Sequence, residues 1–221
     1  MVPRDGRLQV RETPDPETGP GELLLRTLST AICESDVHFM DHPELAVDDP
    51  TGCSLYDIDR DIVLGHEFVG EVVGHGPGCT DQFAVGAHVT AMPVRLVDGG
   101  AGGMRIIGQH PEAQGSFAEL LVVSEVAAKP VPGDVSGDAV ALTDAFTVGE
   151  FYVRSAGMQP GEVAIVIGQD RYARVATTRA QPRSDRFPRR GAAERMLASL
   201  TRNQAVELFA QAVAAAMGPD N

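Results

Sequence analysis

The 221-residue chain is predicted to have a mainly β fold with some helix, followed by the start of a parallel α/β unit. Its 24 Gly and 15 Pro imply many turns, which favours a β-rich body over a helical bundle. Short apolar runs between these turns have the length of strands. The run Val163–Ile167 is typical of a fully buried parallel strand, which places the start of the α/β unit there.

Composition along the first half of the chain predicts the first elements. Residues 1–20 are polar and proline-rich and are predicted to form a loop. Glu22–Ala31 is apolar enough for a strand, and Cys33–His42 is predicted to be a loop with a short helical turn. Phe68–Gly74 is predicted to be a strand in which the glycines mark bends or bulges.

The second half adds two strands and a helix. Val85–Thr90 is predicted to be a short strand, and the glycine-rich residues 97–115 are predicted to be a loop. Phe117–Val123 is strongly apolar, as a buried strand requires. Ala139–Ala156 has the length and the apolar stripe of a helix.

Net charge and cysteine content exclude several classes of protein. A net charge of -13 argues against nucleic acid or an anionic membrane as a partner. Three unevenly spaced cysteines do not form a disulfide framework. The sequence has no signal peptide and no apolar run long enough to cross a bilayer. We therefore expect a soluble, cytoplasmic protein.

The charge changes sign near residue 168. Residues 1–168 carry 9 Lys+Arg against 26 Asp+Glu, a net charge of -17. Residues 169–221 carry 9 Arg against 5 acidic residues, a net charge of +4. A change of this size at one point predicts a boundary, or a different origin for the tail.

A thiol, an imidazole and a carboxylate are spaced as a catalytic zinc site requires. His66 and Glu67 follow Gly65, and His66 lies 33 residues after Cys33. Zinc binds sulfur, imidazole nitrogen and carboxylate oxygen, and a catalytic site keeps one position open. Taken singly, Cys33 is more often a buried structural thiol and His66 a core histidine, and it is their pairing at this spacing that favours metal ligands.

Five segments together resemble the zinc-containing medium-chain alcohol dehydrogenases. They occur in the family's order and at its spacing across roughly residues 20–168. The segments are Ala31–Asp36, Leu64–Gly70, Gly115–Glu119, Leu142–Gly149 and the strand that ends at Gly168.

The resemblance implies an architecture and its boundaries. It implies a GroES-like, partly open β-barrel that carries the metal, over residues 1–140. An inter-domain helix and the first strand of a Rossmann domain for NAD(P) would occupy residues 141–168. Residues 169–221 form an atypical tail rich in Arg and Ala.

The resemblance also implies a set of metal ligands. Cys33 and His66 match zinc ligands, and Glu67 lies at or next to the metal. Many relatives have a cysteine as the third ligand at the position of Asp144. Some formaldehyde-dehydrogenase-like members have an Asp there, as this chain does. Glu67 is alternatively a carboxylate that tunes the metal from outside its ligand set, and Asp144 a helix N-cap.

The same resemblance implies that a hydride passes from a small-molecule alcohol to NAD(P), or from NAD(P)H to an aldehyde in the reverse direction. Ser35 matches the family's proton-relay hydroxyl, and His38 matches the residue that passes the proton to solvent. Ser35 is alternatively a capping hydroxyl and His38 a surface residue. A homo-oligomer is possible, because family dimers pair through the nucleotide domain.

Two departures from the family pattern affect the cofactors. Residues 79–115 contain only Cys79 where the family's structural zinc uses four cysteines, so we expect one catalytic zinc and no structural zinc. Glu34 stands where some relatives have a basic residue near the cofactor phosphate. A carboxylate there would repel the pyrophosphate.

The nucleotide site is predicted to be missing. A dinucleotide site needs a glycine-rich turn after the first strand, but Gln169–Tyr172 follows Gly168, and the next glycine is Gly191. If the codons of Gln169–Tyr172 end in G or C, reading them from the third base gives Gly-Pro-Val, the tripeptide expected in the family's turn. Loss of one base from the gene would then explain the tail. Alternatively, Thr201 and Gln204 begin a genuine amphipathic helix.

Two functions follow. The first is a zinc-dependent alcohol or aldehyde oxidoreductase that uses NAD(P), with this chain carrying mainly the catalytic-zinc domain. The second is a non-catalytic, zinc-binding remnant without a nucleotide domain. A third arrangement, in which a partner chain supplies the nucleotide domain, is also compatible with the sequence.

Overall fold

A computed structural model describes residues 2–4, 7–47, 49–57, 59–80 and 82–157. The elements in these residues are numbered in chain order. The strands are β1 (Val2–Arg4), β2 (Arg7–Gln9), β3 (Glu22–Ala31), β4 (Glu67–His75), β5 (His88–Ala91), β6 (Val94–Leu96), β7 (Met104–Ile106), β8 (Leu120–Ser124) and β9 (Ala128–Pro130). The α-helices are α1 (Glu34–Asp41), α2 (Glu44–Val47), α3 (Gly137–Val140) and α4 (Thr143–Ser155), with 3₁₀ turns at Val97–Gly100 and Glu125–Ala127.

The centre of the fold is a five-stranded antiparallel sheet in the order β8-β3-β4-β5-β9. The pairs β1–β2 and β6–β7 form two further small sheets. Within the described part of the chain, the outer strands β8 and β9 do not pair with each other. The sheet is therefore open, which agrees with the predicted partly open barrel.

One face of the central sheet carries the main core. Strand residues alternate between faces, and Leu23 and Leu25 of β3 are fully buried together with Leu121 and Val123 of β8. Phe68 of β4 packs into the same cluster. A second, smaller cluster lies under the first two helices and contains Phe39, Ala46, Ile62 and Leu64.

A buried ion pair fastens β6 to β3. The guanidinium of Arg95 contacts both carboxylate oxygens of Glu22, with Nε–Oε1 at 2.7 Å and Nη2–Oε2 at 2.8 Å. The Glu22 side chain is 2% exposed, so this carboxylate depends on Arg95 and on the backbone N–H of Gly19. The pair fixes β6 and β7 against the central sheet in the region 79–115.

The strand predictions are confirmed in the centre of the sheet and need correction at its edges. β3 has the predicted bounds, and β4 extends the predicted strand by one residue at each end. The region 1–20, predicted to be a loop, contains β1 and β2, and the predicted loop 97–115 contains β7. The strand predicted at 85–90 begins only at His88, because Val85 and Gly86 form a turn.

The helix predictions are corrected in two places. The loop predicted at 33–42 is an eight-residue helix, α1. The single helix predicted at 139–156 is divided into α3 and α4, because Leu142 leaves the helical conformation with φ -88° and ψ 2°. The predictions for Val163–Ile167, Gln169–Tyr172 and the tail concern residues outside those that the structure describes. None of the helices in the described residues has the length and hydrophobicity needed to span a bilayer.

Candidate metal centre

Three buried side chains of different chemistry converge at one end of the β3–β4 pair. Each of Cys33, His66 and Glu67 offers one ligand atom, and these atoms all lie within 4.8 Å of one another. The three residues are 2%, 7% and 1% exposed. All three residues were candidates from the sequence, and the fold brings them together.

The strand register accounts for this convergence. The antiparallel pairing of β3 with β4 ends at the pair Ala31–Glu67. Cys33 follows two residues after Ala31 and is the N-cap of α1, while His66 directly precedes β4. The thiol and the imidazole therefore meet because the two strands are aligned at this end.

A close backbone contact shapes the turn before His66. Gly65 has φ +97°, a conformation that side chains other than glycine rarely adopt. The backbone of 115–117 lies against this turn, and the N–H of Ser116 donates to the carbonyl of Gly65 at 2.9 Å. A Cβ on Gly115 would lie 2.3 Å from the Gly65 oxygen, so only glycine fits at position 115.

Asp36 links the parts of the site and was not identified from the sequence. It is 1% exposed and accepts backbone hydrogen bonds from Cys33 to Oδ2 at 3.0 Å and from Gly65 to Oδ1 at 3.2 Å. Its Oδ1 lies 3.1 Å from Nδ1 of His66, an ion-pair contact in which the N–H direction is not aligned for a hydrogen bond. The available signal was a carboxylate at the third helical position, where it can cap a helix.

The electrostatics of the site favour a positive charge at its centre. Burial lowers the pKa of His66, but the Asp36 carboxylate and the Cys33 sulfur outweigh it and raise that pKa from 6.5 to about 10. The same two groups that raise this pKa would also favour a cation bound beside the ring.

The donor set fits zinc. Ligands about 2.0–2.3 Å from a tetrahedral zinc are separated from one another by roughly 3.3–3.8 Å. The separations within 4.8 Å in the site need only a small contraction to reach this geometry. One thiol, one imidazole and one carboxylate also leave a fourth position for another ligand or a substrate oxygen.

Asp144 lies near this set but is not part of it. Its side chain lines a cavity of about 50 Å³ together with His66, Glu67 and Lys129. The ligand atoms within 4.8 Å of one another come from the other three residues. The N-cap of α4 is Leu142, so Asp144 is the second residue of that helix and not its cap.

Ser35 joins the centre to a larger cavity. Its Oγ lies 3.1 Å from Nε2 of His66, so the hydroxyl contacts the site and does not cap α1. Ser35 and His38 both line a cavity of about 340 Å³. His38 is exposed, and its ring centroid lies 4.8 Å from that of His42.

Comparisons with known proteins agree with this geometry. The family model for the alcohol dehydrogenase GroES-like domain matches residues 19–133. An L-threonine 3-dehydrogenase of Shewanella pealeana is 34% identical over 153 residues, which is 66% of this chain and 42% of the relative. The chain thus spans less than half the length of that curated relative.

Two solved structures resemble the fold. A structure described as a zinc-binding dehydrogenase of Sinorhizobium meliloti 1021 bound to NADP is 27% identical, with a TM-score of 0.57. The match covers 73% of this chain and 46% of that one. Galactitol-1-phosphate dehydrogenase of Escherichia coli, 24% identical, has a TM-score of 0.61 over 80% of this chain and 50% of its own, and shows the fold alone.

The family model covers more than half of the chain, and its span includes three of the four residues that sequence analysis named as ligands. The open antiparallel sheet is the feature that the solved relatives support. The chain is a member of the alcohol dehydrogenase GroES-like domain family, within the zinc-containing medium-chain dehydrogenases.

Proposed function

We propose that this chain carries the catalytic-zinc domain of an NAD(P)-dependent oxidoreductase that acts on a small alcohol or aldehyde. The supporting observation is the buried convergence of Cys33, His66 and Glu67, with their ligand atoms within 4.8 Å of one another. The relatives support the reaction class, since one is an L-threonine 3-dehydrogenase and another is bound to NADP.

Each residue near the metal has a defined task in this proposal. Cys33, His66 and Glu67 would hold the zinc, and Asp144, which lines the same cavity as His66 and Glu67, is the further candidate ligand. A zinc ion held there would act as a Lewis acid and make the proton of an alcohol easier to remove. Asp36 orients the imidazole of His66, with Oδ1 at 3.1 Å from Nδ1.

Ser35 and His38 handle the proton that the alcohol loses. A hydroxyl can accept and donate a proton in turn, and Ser35 lies between His66 and the larger cavity. His38 lines the same cavity and is exposed to solvent, where an imidazole can take up the proton and release it. This order, from alcohol to Ser35 to His38, carries the proton outward.

Metal content tests the site. Zinc bound to the purified chain is measured by mass spectrometry for wild type, Cys33→Ala and His66→Ala. We expect about one zinc per wild-type chain and a loss of most of it in both variants. Cys53→Ala and His88→Ala are matched controls, because they remove a thiol and an imidazole that lie outside the three-residue set.

Circular dichroism of each variant shows whether the chain is folded. A folded Cys33→Ala or His66→Ala variant that keeps its zinc would contradict the site. Loss of zinc from the two control variants to the same extent would contradict it as well.

A second function, a zinc-binding domain without catalysis, has one specific observation in its favour. Gln169–Tyr172 stands where a glycine-rich phosphate turn is expected. Fluorescence titration with NADH and NADPH on zinc-loaded chain separates the two functions. Binding of zinc and of a nucleotide supports the oxidoreductase, whereas zinc without nucleotide binding supports the non-catalytic domain.

We also propose the domain boundaries on this basis. Residues 1–140 form the metal-binding domain, since the family match ends at residue 133 and α3 follows it. Residues 141–168, which include α4, are assigned to the connection, and 169–221 to the tail rich in Arg and Ala. Limited proteolysis checks this division, with first cleavage expected after residue 140 and no early cleavage within β3–β9.

A further inference from the structure

Two histidines lie together at the exposed end of the first helix. His38 is in the last turn of α1 and His42 is the C-cap of that helix. Residues four apart on a helix lie on the same face, and the ring centroids of the two histidines are 4.8 Å apart with 50° between the ring planes. Both side chains are exposed to solvent, so a dissolved ion can reach the pair.

The separation of the two rings suits two imidazoles bound to one metal ion. Zinc–nitrogen distances are about 2.0–2.1 Å, so two imidazoles bound to one tetrahedral ion have ring centroids roughly 5 Å apart. The observed separation of 4.8 Å is close to this value. Two histidines four residues apart on one helix face are also the arrangement that helical zinc motifs use.

Glu44 prepares the ring of His42 for a metal ion. Its Oε1 lies 3.2 Å from Nδ1 of His42, within hydrogen-bond distance. An ionised carboxylate only accepts hydrogen bonds, so Nδ1 carries the proton and Nε2 of the neutral ring has an available lone pair. A carboxylate on the second ring nitrogen is the usual partner of a metal-bound histidine, because it orients the ring and makes it more basic.

The charges around the pair are negative. The C-terminal end of a helix carries a partial negative charge, and the exposed carboxylates of Asp41 and Glu44 lie close to His42 in the chain. A hydrogen bond from its own backbone N–H, the contact with His42 and the charges of both imidazoles hold the pKa of Glu44 below its ordinary 4.5. Among the described residues, neither Lys nor Arg lines the cavity that His38 and His42 share. A divalent cation is therefore favoured at this position.

We propose that His38 and His42 form a second, surface site for a divalent cation such as Zn²⁺, with Glu44 holding the ring of His42. Imidazole is a ligand type that suits zinc, copper and nickel. Within the described residues, the buried set that includes Cys33 is the group of three donors in metal-binding range. The surface pair is thus a two-histidine site, in which water completes the coordination and binding is weaker than at the buried centre.

One consequence of this site rests on the proposed function, in which His38 passes a proton to solvent. A neutral imidazole accepts a proton through the lone pair of one ring nitrogen. That lone pair is no longer available once the nitrogen binds a metal ion. Zinc at the surface pair would therefore inhibit the release of protons through His38.

The test is a zinc titration of the full chain, measured by isothermal titration calorimetry. The chain is first loaded with one equivalent of Zn²⁺, and further Zn²⁺ is then added. We expect wild type to bind a second, weaker equivalent, and the ring signals of both histidines to shift together in NMR spectra of the same titration. In His38→Ala and in His42→Ala the second equivalent should be lost, while the zinc that depends on Cys33 stays bound.

Two further variants sharpen the comparison. Glu44→Gln keeps the size of the side chain but loses its charge, and it should weaken the second equivalent about ten-fold, as the loss of a carboxylate partner of a metal-bound histidine does. His88→Ala is the matched control, because His88 is an exposed histidine outside the pair, and it should keep the second equivalent. Circular dichroism confirms that each variant is folded.

A wild-type chain that binds no second equivalent would overturn the proposal, as would a second equivalent that folded His38→Ala and His42→Ala both retain. Loss of the second equivalent from His88→Ala to the same extent would overturn it as well. Cys33→Ala, titrated in parallel, separates this proposal from the proposed function. Zinc that depends on Cys33 without a second equivalent refutes the surface pair alone. Zinc that depends on His38 and His42 but not on Cys33 refutes the proposed function and supports the surface pair.

Discussion

Asp36 contacts His66 in the metal centre, with Oδ1 of Asp36 at 3.1 Å from Nδ1 of His66. The same carboxylate accepts hydrogen bonds from the backbone N–H groups of Cys33 and Gly65. Asp36 therefore fixes the start of α1, the turn before β4 and the imidazole ring together. Three parts of the site depend on one side chain that does not itself belong to the ligand set.

Replacing Asp36 by Asn should weaken zinc binding without unfolding the chain. The amide keeps the size of the side chain but loses the negative charge beside His66. Partners that orient a metal-bound histidine typically contribute about 10–100-fold in metal affinity, and we expect a loss in that range. Competition with a zinc chelator measures the change. Asp41→Asn, at the exposed end of the same helix, should leave the affinity unchanged.

Gly115→Ala should disturb both stability and metal binding. The new Cβ would lie 2.3 Å from the carbonyl oxygen of Gly65 and 2.4 Å from that of Leu64, so the turn before His66 must move. Overpacking of this kind costs about 1–3 kcal/mol of unfolding free energy, measured by urea denaturation. Gly133→Ala is the control, since a Cβ there meets no atom within 4 Å. Equal stability of the two variants would refute the close contact.

Arg95→Ala should be strongly destabilising. It leaves the Glu22 carboxylate, 2% exposed, without its charged partner, and breaking a buried pair in this way costs about 3–5 kcal/mol. Arg26→Ala is the comparison, because Arg26 pairs with Glu71 but is 57% exposed, and such surface pairs contribute up to about 1 kcal/mol. Chemical denaturation measures both. The double variant Glu22→Gln, Arg95→Met should recover part of the loss, since it removes both charges.

His110 should make the fold less stable as the pH falls. Burial, followed by repulsion from Arg105, holds the pKa of His110 below its ordinary 6.5, against the opposing effect of Glu112. In the folded chain Nδ1 accepts from the N–H of Glu112 at 3.0 Å and stays unprotonated. The unfolded chain binds a proton below about pH 6.5, so the contribution of His110 to stability is present above that pH and decreases below it.

His110→Gln should remove this part of the pH dependence. Urea denaturation at about pH 7.5 and about pH 5.5 brackets the ordinary histidine pKa. The stability difference between these pH values should be smaller in the variant than in wild type. His88→Gln, on an exposed side chain, should retain the wild-type difference. A difference unchanged by His110→Gln would show that His110 is not responsible.

The central strands could be predicted from the sequence because local pattern and tertiary environment agree there. Glu22–Ala31 is apolar and contains no Gly or Pro, and β3 has those bounds. β6, β7 and β9 have three residues each, too few for a pattern, and form only through pairing with distant segments. The break at Leu142 was missed because the apolar stripe continues across it.

The candidate metal centre was only partly predictable from the sequence, because some of its contacts exist only in the folded chain. Cys33, His66 and Glu67 are residue types that bind zinc, and their spacing together with the family resemblance indicated them. Asp36 acts through two backbone N–H groups and a ring nitrogen, which are brought to it only by the fold.

The pairing of Ala31 with Glu67 gives the metal centre one more property. The thiol and the carboxylate become neighbours only when β3 and β4 have joined in the correct alignment, since a slip by one residue would turn Glu67 to the opposite side of the sheet. An incompletely folded chain therefore has no complete set of donors. If cobalt is added during refolding, the rise of the absorption of bound cobalt with time would therefore report the rate at which β3 and β4 pair.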